Sequence, residues 1–484
     1  MPHGTDAAFE RVIFWFRRDL RLSDNRGLAE ATRQSRQVIP LFVFDTNILD
    51  DLDNTQDRRV TFIHESIREL QRMLQETGSD IVVLHGDPED AVPHLADRVN
   101  ADAVFTNRDY EPYAAARDAQ VQRALADDGR AFVDFKDQVI FEKDEILTQS
   151  GEPYKVFSPY KRAWLQRFEE NTEYGRSPAA EEVPDYAQLA PRRTLRGLSD
   201  AWDMDALGFV PTDLWLVPGE SAARERLAGF LPRMAEYKTD RDFPSREGTS
   251  GLSVHLRFGT ISIRAAVRAA MEDDSKGAQT WLSELIWREF YQMLLDRFPR
   301  VVSHSFKPEY DAIRWPGTDD HFQAWCEGRT GYPIVDAAMR HFNATGWMHN
   351  RLRMITAMFL TKDLLVDWRL GEAYFAGHLL DYDLASNNGG WQWSASTGAD
   401  GAPYFRIFNP ILQSKRFDPD GSYIREHVPE LAGFEGDTLH WPHDADMFTQ
   451  RDAGCVLGED YPHPVVDHFE QKEKAIALFK AVEK

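Results

Sequence analysis

The segment DLASNNGGWQW, residues 383–393, places carboxylate, amide and indole side chains at helical spacing. At about 100° per residue, Asp383, Asn387 and Trp391 share one helix face, whereas Trp393 points about 200° away from Trp391. Two indoles on opposite faces predict two different neighbours, because a single core is normally covered by one apolar stripe. An ordinary buried helix with two core tryptophans is the alternative interpretation.

Glycines mark two places where another group could approach the main chain. Gly389 and Gly390 each cost a helix roughly 1 kcal/mol relative to alanine, so we expect a close neighbour there. The segment GTSGLS, residues 248–253, offers glycines and small hydroxyls before an apolar stretch, where backbone N–H groups could meet a phosphate. The same residue types also describe an ordinary N-capped turn.

Two other segments combine charged and aromatic side chains. In ELIWREFYQMLL, Glu284 and Arg288 stand at i and i+4, where a simple solvated ion pair is one interpretation. The segment WMHNRLRMI, residues 347–355, places His349, Asn350, Arg351 and Arg353 beside Trp347, Met348 and Met354. This mixture of cation, amide and apolar surface suits an aromatic ligand that carries phosphates.

Length and composition limit the possible protein classes. The chain has 484 residues and a mass of 55.6 kDa, which predicts at least two domains. A net charge of −23 disfavours a nucleic-acid partner unless a basic face exists on an acidic body, and it is also compatible with a high-salt cytosol. Two cysteines exclude a disulfide framework and a four-cysteine metal site, and we predict no metal site. The sequence shows no signal-type N-terminus and no apolar run of about 18 residues, so we expect a cytoplasmic protein.

The first part of the chain alternates strand and helix patterns. Short apolar runs predict strands at 12–16, 38–44, 81–84, 103–106 and 131–135. Ile63, Ile67, Leu70 and Leu74 fall at helical spacing between the second and third runs. Strands separated by helices indicate a doubly wound parallel sheet of Rossmann-like type, although no GxGxxG or Walker-type loop follows any of these strands.

The remaining sequence predicts a connector and a helical region. Prolines and weak periodicity indicate a long linker, after which the pattern is almost wholly helical. We therefore predict an α/β N-terminal domain at 10–140, an interdomain linker at 141–218, and a larger all-α domain at 219–484.

Several long motifs together resemble one known family. FWFRRDLRLSDN, PYKVFSPYKRAW, GTSGLS, ELIWREFY, MHNRLRM, TKDLLVDWRLGEAYF and LASNNGGWQWSASTGADGAPYFRIFNP are similar to motifs of the photolyase/cryptochrome family, and most closely to its class I cyclobutane pyrimidine dimer photolyases. The resemblance extends from about residue 11 to residue 469. It implies an N-terminal antenna-binding domain and a C-terminal domain that holds FAD. The functional cofactor would be the reduced anionic FADH⁻, which, excited by blue or near-ultraviolet light, gives an electron to a dimer in damaged DNA.

The resemblance also implies which residues contact the cofactor. The implied FAD-binding residues are Tyr237, Thr249, Ser250, Leu252, Ser253, Trp281, Arg288, Tyr291, Trp347, Asn350, Arg353, Asp381, Asp383 and Asn387. Gly251 stands where the family often has an arginine, which removes one charge from that loop. Arg353 and Asp381 resemble a charged pair beside the isoalloxazine, and Asn387 resembles the amide that faces flavin N5. The glycines beside it would let the helix lie close to the flavin ring.

The substrate side is implied in the same way. The residues that resemble the wall of the family's dimer pocket are Glu284, Trp287, Asn350, Arg351, Met354 and Trp393. The candidate phosphate contacts are Arg241, Arg351, Arg406, Lys415 and Arg416. Flat aromatic surfaces with a carboxyl and an amide suit a flipped-out dimer. Trp391, Trp368 and Trp315 resemble the family's electron-transfer triad. With Glu284 and Asn387, these tryptophans complete the predicted catalytic set.

Alternatives remain open. A (6-4) photolyase would carry histidines where Asn350 and Met354 stand, and a cryptochrome-type light receptor of plants would usually carry aspartate at Asn387. The antenna could be folate, deazaflavin or a second flavin, or there could be none. The expected partner is UV-damaged DNA, and no association with a membrane is expected. The expected state is a cytoplasmic monomer that associates with the nucleoid when bound to DNA.

Overall fold

The computed structural model describes residues 7–173 and 177–482. Two compact units divide the chain. The first comprises Met1–Pro153, Lys161–Met234 and Ser250–Glu289, and the second comprises Tyr154–Tyr160, Ala235–Thr249 and Phe290–Lys484. Among the described residues, no helix has the length and apolar character that crossing a membrane requires.

A parallel sheet forms the centre of the first unit. Its described strands are β1 (Val12–Phe16), β2 (Val38–Asp45), β3 (Val82–Gly86), β4 (Ala103–Asn107) and β5 (Ala131–Phe135). Their spatial order is β3-β2-β1-β4-β5, with Val12 opposite Val38 on one side and Ala103 on the other. Strands β1, β2 and β4 are buried along their whole length, which explains why they appear in the sequence as continuous apolar runs. The predicted doubly wound sheet is confirmed.

Helices make up most of the remaining structure. The α-helices are α1 (Arg26–Gln34), α2 (Thr46–Leu49), α3 (Arg58–Glu76), α4 (Pro88–Arg98), α5 (Pro112–Asp127), α6 (Phe157–Glu173), α7 (Arg192–Leu195), α8 (Glu220–Phe230), α9 (Tyr237–Asp240), α10 (Ser253–Phe258), α11 (Ile263–Met271), α12 (Lys276–Arg297), α13 (Asp319–Cys326), α14 (Pro333–Thr345), α15 (Asn350–Met358), α16 (Trp368–His378), α17 (Leu384–Ala395), α18 (Pro410–Phe417), α19 (Ser422–His427), α20 (Asp437–His440), α21 (Met447–Asp452) and α22 (His468–Lys480). Short 3₁₀ turns lie at Lys143–Glu145, Tyr186–Gln188, Leu231–Glu236, Pro299–Val302, Pro308–Ala312, Pro429–Leu431 and Pro442–Asp444, and a π-helical turn lies at Phe359–Asp363.

The proline-containing stretch after α6 packs against the sheet. The Ala190 amide donates to the Val38 carbonyl at 2.7 Å, and the Asp200 amide donates to the Val83 carbonyl at 2.9 Å. Main-chain hydrogen bonds of this kind require no periodic pattern of side chains, so the sequence of this stretch looks like that of an unattached linker. The compact units do not follow the boundaries at 140 and 218, and the functional division into 10–140, 141–218 and 219–484 stays a prediction.

A buried ion network joins residues 250–289 to the sheet within the first unit. Arg264 donates to Asp24 at 2.8 Å and to Asp137 at 2.7 Å, and Arg21 donates to Asp137 at 2.6 Å. Although burial alone raises it, the charges of Arg21 and Arg264 bring the pKa of Asp137 down to about 2. This carboxylate therefore stays ionised and holds both arginines.

The second unit has a large apolar core between helices. Trp325 of α13, Trp368 of α16 and Trp391 of α17 all belong to one buried cluster, and each is at most 3% exposed. The predicted helical region after the sheet is confirmed, and its core carries the indoles that the sequence singled out.

Candidate functional site

The ends of α15 and α17 are fixed by side-chain caps. Asp383 caps α17 by accepting the Ser386 amide at 2.9 Å, and His349 caps α15 through Nδ1, which accepts the Arg351 amide at 3.2 Å. Each cap satisfies a donor that a helix N-terminus leaves without a partner. Segment 384–395 is therefore helical, as its spacing required.

An ion pair joins α15 to the turn before α17. Arg353 Nη2 donates to both carboxylate oxygens of Asp381, at 3.0 and 2.8 Å, and Arg353 Nε donates to the Met348 carbonyl at 2.8 Å. Asp381 is 7% exposed. The guanidinium is thus held in one orientation and carries a fixed positive charge.

The amide of Asn387 also has a defined orientation. Its Nδ2 donates to Glu372 twice, to Oε1 at 2.8 Å and to the backbone carbonyl at 3.2 Å. Its Oδ1 accepts no hydrogen bond from the described residues. Because both acceptors face the NH₂ group, the carbonyl end of the amide is the one left for a ligand. Burial raises the pKa of Glu372, and the hydrogen bond from Asn387 opposes that shift.

His349 carries a second unfilled hydrogen-bonding group. Burial, followed by the charge of Arg351, lowers the pKa of His349 to about 4, so the ring is neutral at neutral pH. Because Nδ1 accepts the Arg351 amide, the proton lies on Nε2, which is buried without an acceptor among the described residues. A buried donor of this kind predicts a ligand or an ordered water beside it.

The two tryptophans of α17 have different surroundings. Trp391 is 3% exposed and packs edge-to-face on Phe375 at 5.0 Å and on Trp325 at 5.9 Å. A Cβ at Gly371 would lie 2.1 Å from the Trp391 ring, so α16 approaches this indole closely only because residue 371 is glycine. Trp393 is half-buried and has no ring contact with the described residues.

Among the described residues, no two members of the predicted triad are in ring contact with each other. Trp368 lies in the same core cluster as Trp391, and half-buried Trp315 packs edge-to-face on Phe479 at 6.0 Å. The ring contacts of Trp391 are instead with Phe375 and Trp325, neither of which was predicted. The triad stays a prediction.

The glycine pair has two separate environments. A Cβ at Gly389 would lie 2.2 Å from the Tyr291 ring, so the close neighbour at this position is a side chain of α12. A Cβ at Gly390 would meet nothing within 4 Å. Tyr291 is thus the close neighbour at Gly389, whereas the space at Gly390 is open, and the approach of a flavin ring to this helix stays a prediction.

Predicted cofactor residues in the first unit contact their own unit. Buried Trp281 packs on Phe230 at 5.0 Å, and Arg288 Nη1 donates to the Gln138 carbonyl at 2.6 Å. Glu284 and Trp287, on the same helix, are half-buried. Trp281, Glu284, Trp287 and Arg288 therefore all lie on the single helix α12.

A cation lies beside the GTSGLS loop. Gly251 has a φ of +62°, and a Cβ on it would lie 2.6 Å from Arg226 Nη1. Arg226 comes from α8 and its guanidinium lies over the Trp215 ring at 5.2 Å. A positive charge thus lies beside position 251, on a residue 25 positions earlier in the chain. Of the other predicted loop residues, Ser250 lies within the same loop and Ser253 begins α10.

Two of the predicted phosphate-binding cations of the second unit contact the same aromatic ring. Arg351 and Arg416 both lie over the Phe417 ring, at 4.4 and 5.0 Å. Arg351 is paired with Asp242 at 2.6 Å, which follows Arg241 in the chain.

The other two cations, Lys415 and Arg406, make no contact with the Phe417 ring among the described residues. Lys415 is paired with exposed Asp437 at 2.9 Å. Arg406 is exposed, and its side chain has no hydrogen-bond or ion-pair partner among the described residues. The convergence of the whole set that DNA binding requires stays a prediction.

Three further residues act on predicted positions but were not themselves predicted: Arg226, Glu372 and Asp242. Each lies on a different element from the residue it contacts, 15 or more positions away in the sequence, so periodicity within one helix gives no signal for the contact. Only Asp242 could have been found from the sequence, because it is a charged residue that directly follows the predicted contact Arg241.

Comparisons with known proteins agree with these features. A family model described as DNA photolyase matches residues 12–183, and one described as the FAD binding domain of DNA photolyase matches residues 281–481. A deoxyribodipyrimidine photo-lyase from Synechococcus is 41% identical over 483 residues, covering 97% of this chain and 96% of the relative.

Two solved structures show the same architecture. The crystal structure of a bacterial class III photolyase from Agrobacterium tumefaciens matches with a TM-score of 0.87 at 36% identity and covers 100% of both chains. A Synechocystis cryptochrome matches with a TM-score of 0.87 at 26% identity, covering 99% of this chain and 100% of that one. The chain therefore belongs to the DNA photolyase family and carries that family's FAD-binding domain.

Proposed function

We propose that this protein is a light-dependent DNA repair enzyme, a deoxyribodipyrimidine photo-lyase that splits cyclobutane pyrimidine dimers to two pyrimidines. The observation that carries the proposal is the oriented amide of Asn387, which presents its carbonyl oxygen while Arg353 holds a fixed positive charge on the neighbouring helix α15. A carbonyl acceptor suits the N–H of a reduced flavin, and a nearby cation suits its negative charge.

The second unit fits FAD on its own observations. Unfilled groups for a ligand are the Asn387 oxygen, the buried His349 Nε2 donor and the open space at Gly390. The chemistry that reduced FAD would supply here, under blue or near-ultraviolet light, is the transfer of one electron to the dimer and its return after the ring opens. The protein's part is to orient the ring, hold its charge and exclude water.

The cofactor-binding set is proposed as it was predicted, with one addition. We assign FAD binding to Tyr237, Thr249, Ser250, Leu252, Ser253, Trp281, Arg288, Tyr291, Trp347, Asn350, Arg353, Asp381, Asp383 and Asn387. Arg226 joins this set because its guanidinium lies beside Gly251, where a phosphate would gain a positive partner.

The dimer would be held by aromatic and polar groups together. Trp393 offers a face without a ring partner, and Asn350 at the start of α15 is exposed. Stacking on an indole suits a flipped base because every base has a π-face. Glu284, Trp287, Arg351 and Met354 complete the proposed pocket wall.

The tryptophans of the core are proposed to relay electrons in light from an external reductant, such as a thiol in solution, to oxidised FAD. Indole can be oxidised, and Trp391 and Trp368 are buried while Trp315 is half-buried, so a hole could pass outward in that order. This role is separate from repair, which needs only the reduced cofactor.

Light sensing of the cryptochrome type is the second candidate, because a cryptochrome shares the fold at 26% identity. The amide at Asn387 and the non-histidine residues Asn350 and Met354 favour repair of cyclobutane dimers over light sensing and over (6-4) repair. We further propose a monomer in the cytoplasm that joins the nucleoid when bound to DNA. The antenna stays open between folate, deazaflavin, a second flavin and none.

Two properties of the purified protein test the proposal. Denaturation should release non-covalently bound FAD, and the folded protein should bind an oligonucleotide with one thymine dimer more tightly than the undamaged oligonucleotide. A folded preparation without FAD, or equal affinity for the two DNAs, would contradict it.

A further inference from the structure

The guanidinium of Arg351 is held by three neighbours in the second unit. Its Nη2 donates to Asp242 Oδ1 at 2.6 Å, its plane lies over the Phe417 ring at 4.4 Å, and its Nη1 lies 3.9 Å from the Met354 sulfur. The arginine is thus oriented before any ligand arrives. Its positive charge is compensated by one carboxylate.

The hydrogen bonding of this arginine is incomplete. Nε and Nη2 form the side edge of a guanidinium, which carboxylates and phosphates normally take with two oxygens. Asp242 bonds only Nη2, and Nε is buried without a partner among the described residues. A buried donor without an acceptor is unfavourable, so a ligand that bonds both nitrogens would replace Asp242 with a gain in hydrogen bonds.

We propose that Asp242 is a specificity-determining residue that competes with a DNA phosphate for Arg351. The inference rests on the proposed function, because it takes Arg351 as a phosphate contact next to the dimer. In the free protein and on undamaged DNA, Asp242 keeps Arg351 paired. When a dimer enters the pocket beside Asn350 and Met354, which flank Arg351 on α15, a phosphate of the lesion takes the Nε–Nη2 edge.

The competition lowers affinity mainly for undamaged DNA. A paired arginine adds no phosphate contact, so it contributes nothing to the counterion release that drives non-specific binding. The side chains of Arg351 and Asp242 are 19% and 32% exposed, which leaves both reachable from solvent. Lesion contacts supply the free energy that separates the pair, and undamaged DNA lacks them.

The test is Asp242→Asn with Asp437→Asn as its matched control. Asp437 is paired with Lys415 at 2.9 Å and is 84% exposed, so the control removes the same charge from a pair that solvent already screens. Dissociation constants are measured for a dimer-containing and an undamaged oligonucleotide over a range of salt concentrations, and melting curves verify folding.

For Asp242→Asn we expect undamaged DNA to bind about threefold to tenfold more tightly, with a salt slope steeper by about 0.9, which is the value for one added phosphate contact. Dimer DNA should gain less than about threefold, so discrimination falls. Asp437→Asn should change both affinities alike, by less than about twofold. Arg351→Lys, which keeps the charge but loses the two-nitrogen edge, should weaken dimer binding and leave undamaged DNA unchanged.

Two results would overturn the inference. If Asp242→Asn weakens dimer binding without strengthening undamaged binding, the carboxylate orients Arg351 and does not compete for it. If discrimination is unchanged, Asp242 has no part in specificity. A wild-type protein that does not prefer dimer DNA would instead refute the proposed function itself.

Discussion

Replacing each tryptophan of α17 should affect a different step of the reaction. Trp393 is half-buried and its ring touches no other ring among the described residues, so it is free to stack on the dimer. Base–aromatic stacking contributes about 1–3 kcal/mol, and Trp393→Ala should therefore weaken dimer binding by about 5-fold to 150-fold. Light-driven reduction of oxidised FAD should continue in this variant.

Trp391→Phe should give the reverse result. The indole is 3% exposed between Phe375 and Trp325, so phenylalanine fits the space and leaves a small cavity that costs about 1–2 kcal/mol of stability. Phenylalanine is not readily oxidised, and the reduction of FAD in light should stop. Repair by protein reduced beforehand with dithionite should remain.

The assays are the bleaching of oxidised flavin absorbance under blue light and dimer repair by pre-reduced protein. Trp325→Phe is the matched control, because Trp325 is the other indole in contact with Trp391 and is outside the predicted triad. Equal defects in Trp391→Phe and Trp393→Ala would refute the assignment of the two indoles to different roles. Loss of photoreduction in Trp325→Phe would move the electron path away from Trp368.

Four other substitutions test separate parts of the structure. Gly390→Ala should stabilise α17 by roughly 1 kcal/mol in the protein without FAD, and it should weaken FAD binding if the flavin fills the open space at this position. Gly389→Ala should lower the stability measured in thermal melts, because its Cβ would lie 2.2 Å from the Tyr291 ring. Arg226→Ala should weaken FAD binding about tenfold or more in fluorescence titrations, since one charged hydrogen-bond donor contributes about 1.5–3 kcal/mol, and an unchanged affinity would exclude Arg226 from the site. Burial raises the pKa of Glu289 from 4.5 to about 7, so as the pH rises the unfolded chain releases this proton before the folded protein does. The free energy of unfolding should therefore fall as the pH rises from about 4.5 to about 7. Glu289→Gln should remove that dependence in denaturation curves, and a wild-type profile in the variant would contradict the assignment.

The sequence predicted those features that depend on local pattern. Strands β1, β2 and β4 are buried on both faces and therefore appear as continuous apolar runs, and the spacing within α17 separates Trp391 from Trp393. The resemblance of motifs to one family identified the cofactor class, which the comparisons support.

Features that depend on distant contacts were not predicted. The close neighbour of Gly389 is Tyr291, which lies about one hundred positions earlier in the sequence, so the glycine indicated a contact without identifying it. The stretch after α6 resembles a linker because its hydrogen bonds to the sheet use main-chain atoms, whose partners no side-chain pattern reveals. Glu372, which orients the amide of Asn387 through its side chain, lies on another helix, so spacing within α17 gives no sign of it.

The most direct test of light-driven repair is a single-turnover experiment with protein reduced in advance. A thymine-dimer oligonucleotide in slight deficit is mixed with the reduced protein and divided between blue light and darkness, and restored thymines are counted by chromatography. We predict repair of nearly all bound dimers in light, none in darkness, and none for a (6-4) photoproduct under the same light. Repair in darkness, or repair of the (6-4) product alone, would contradict the account.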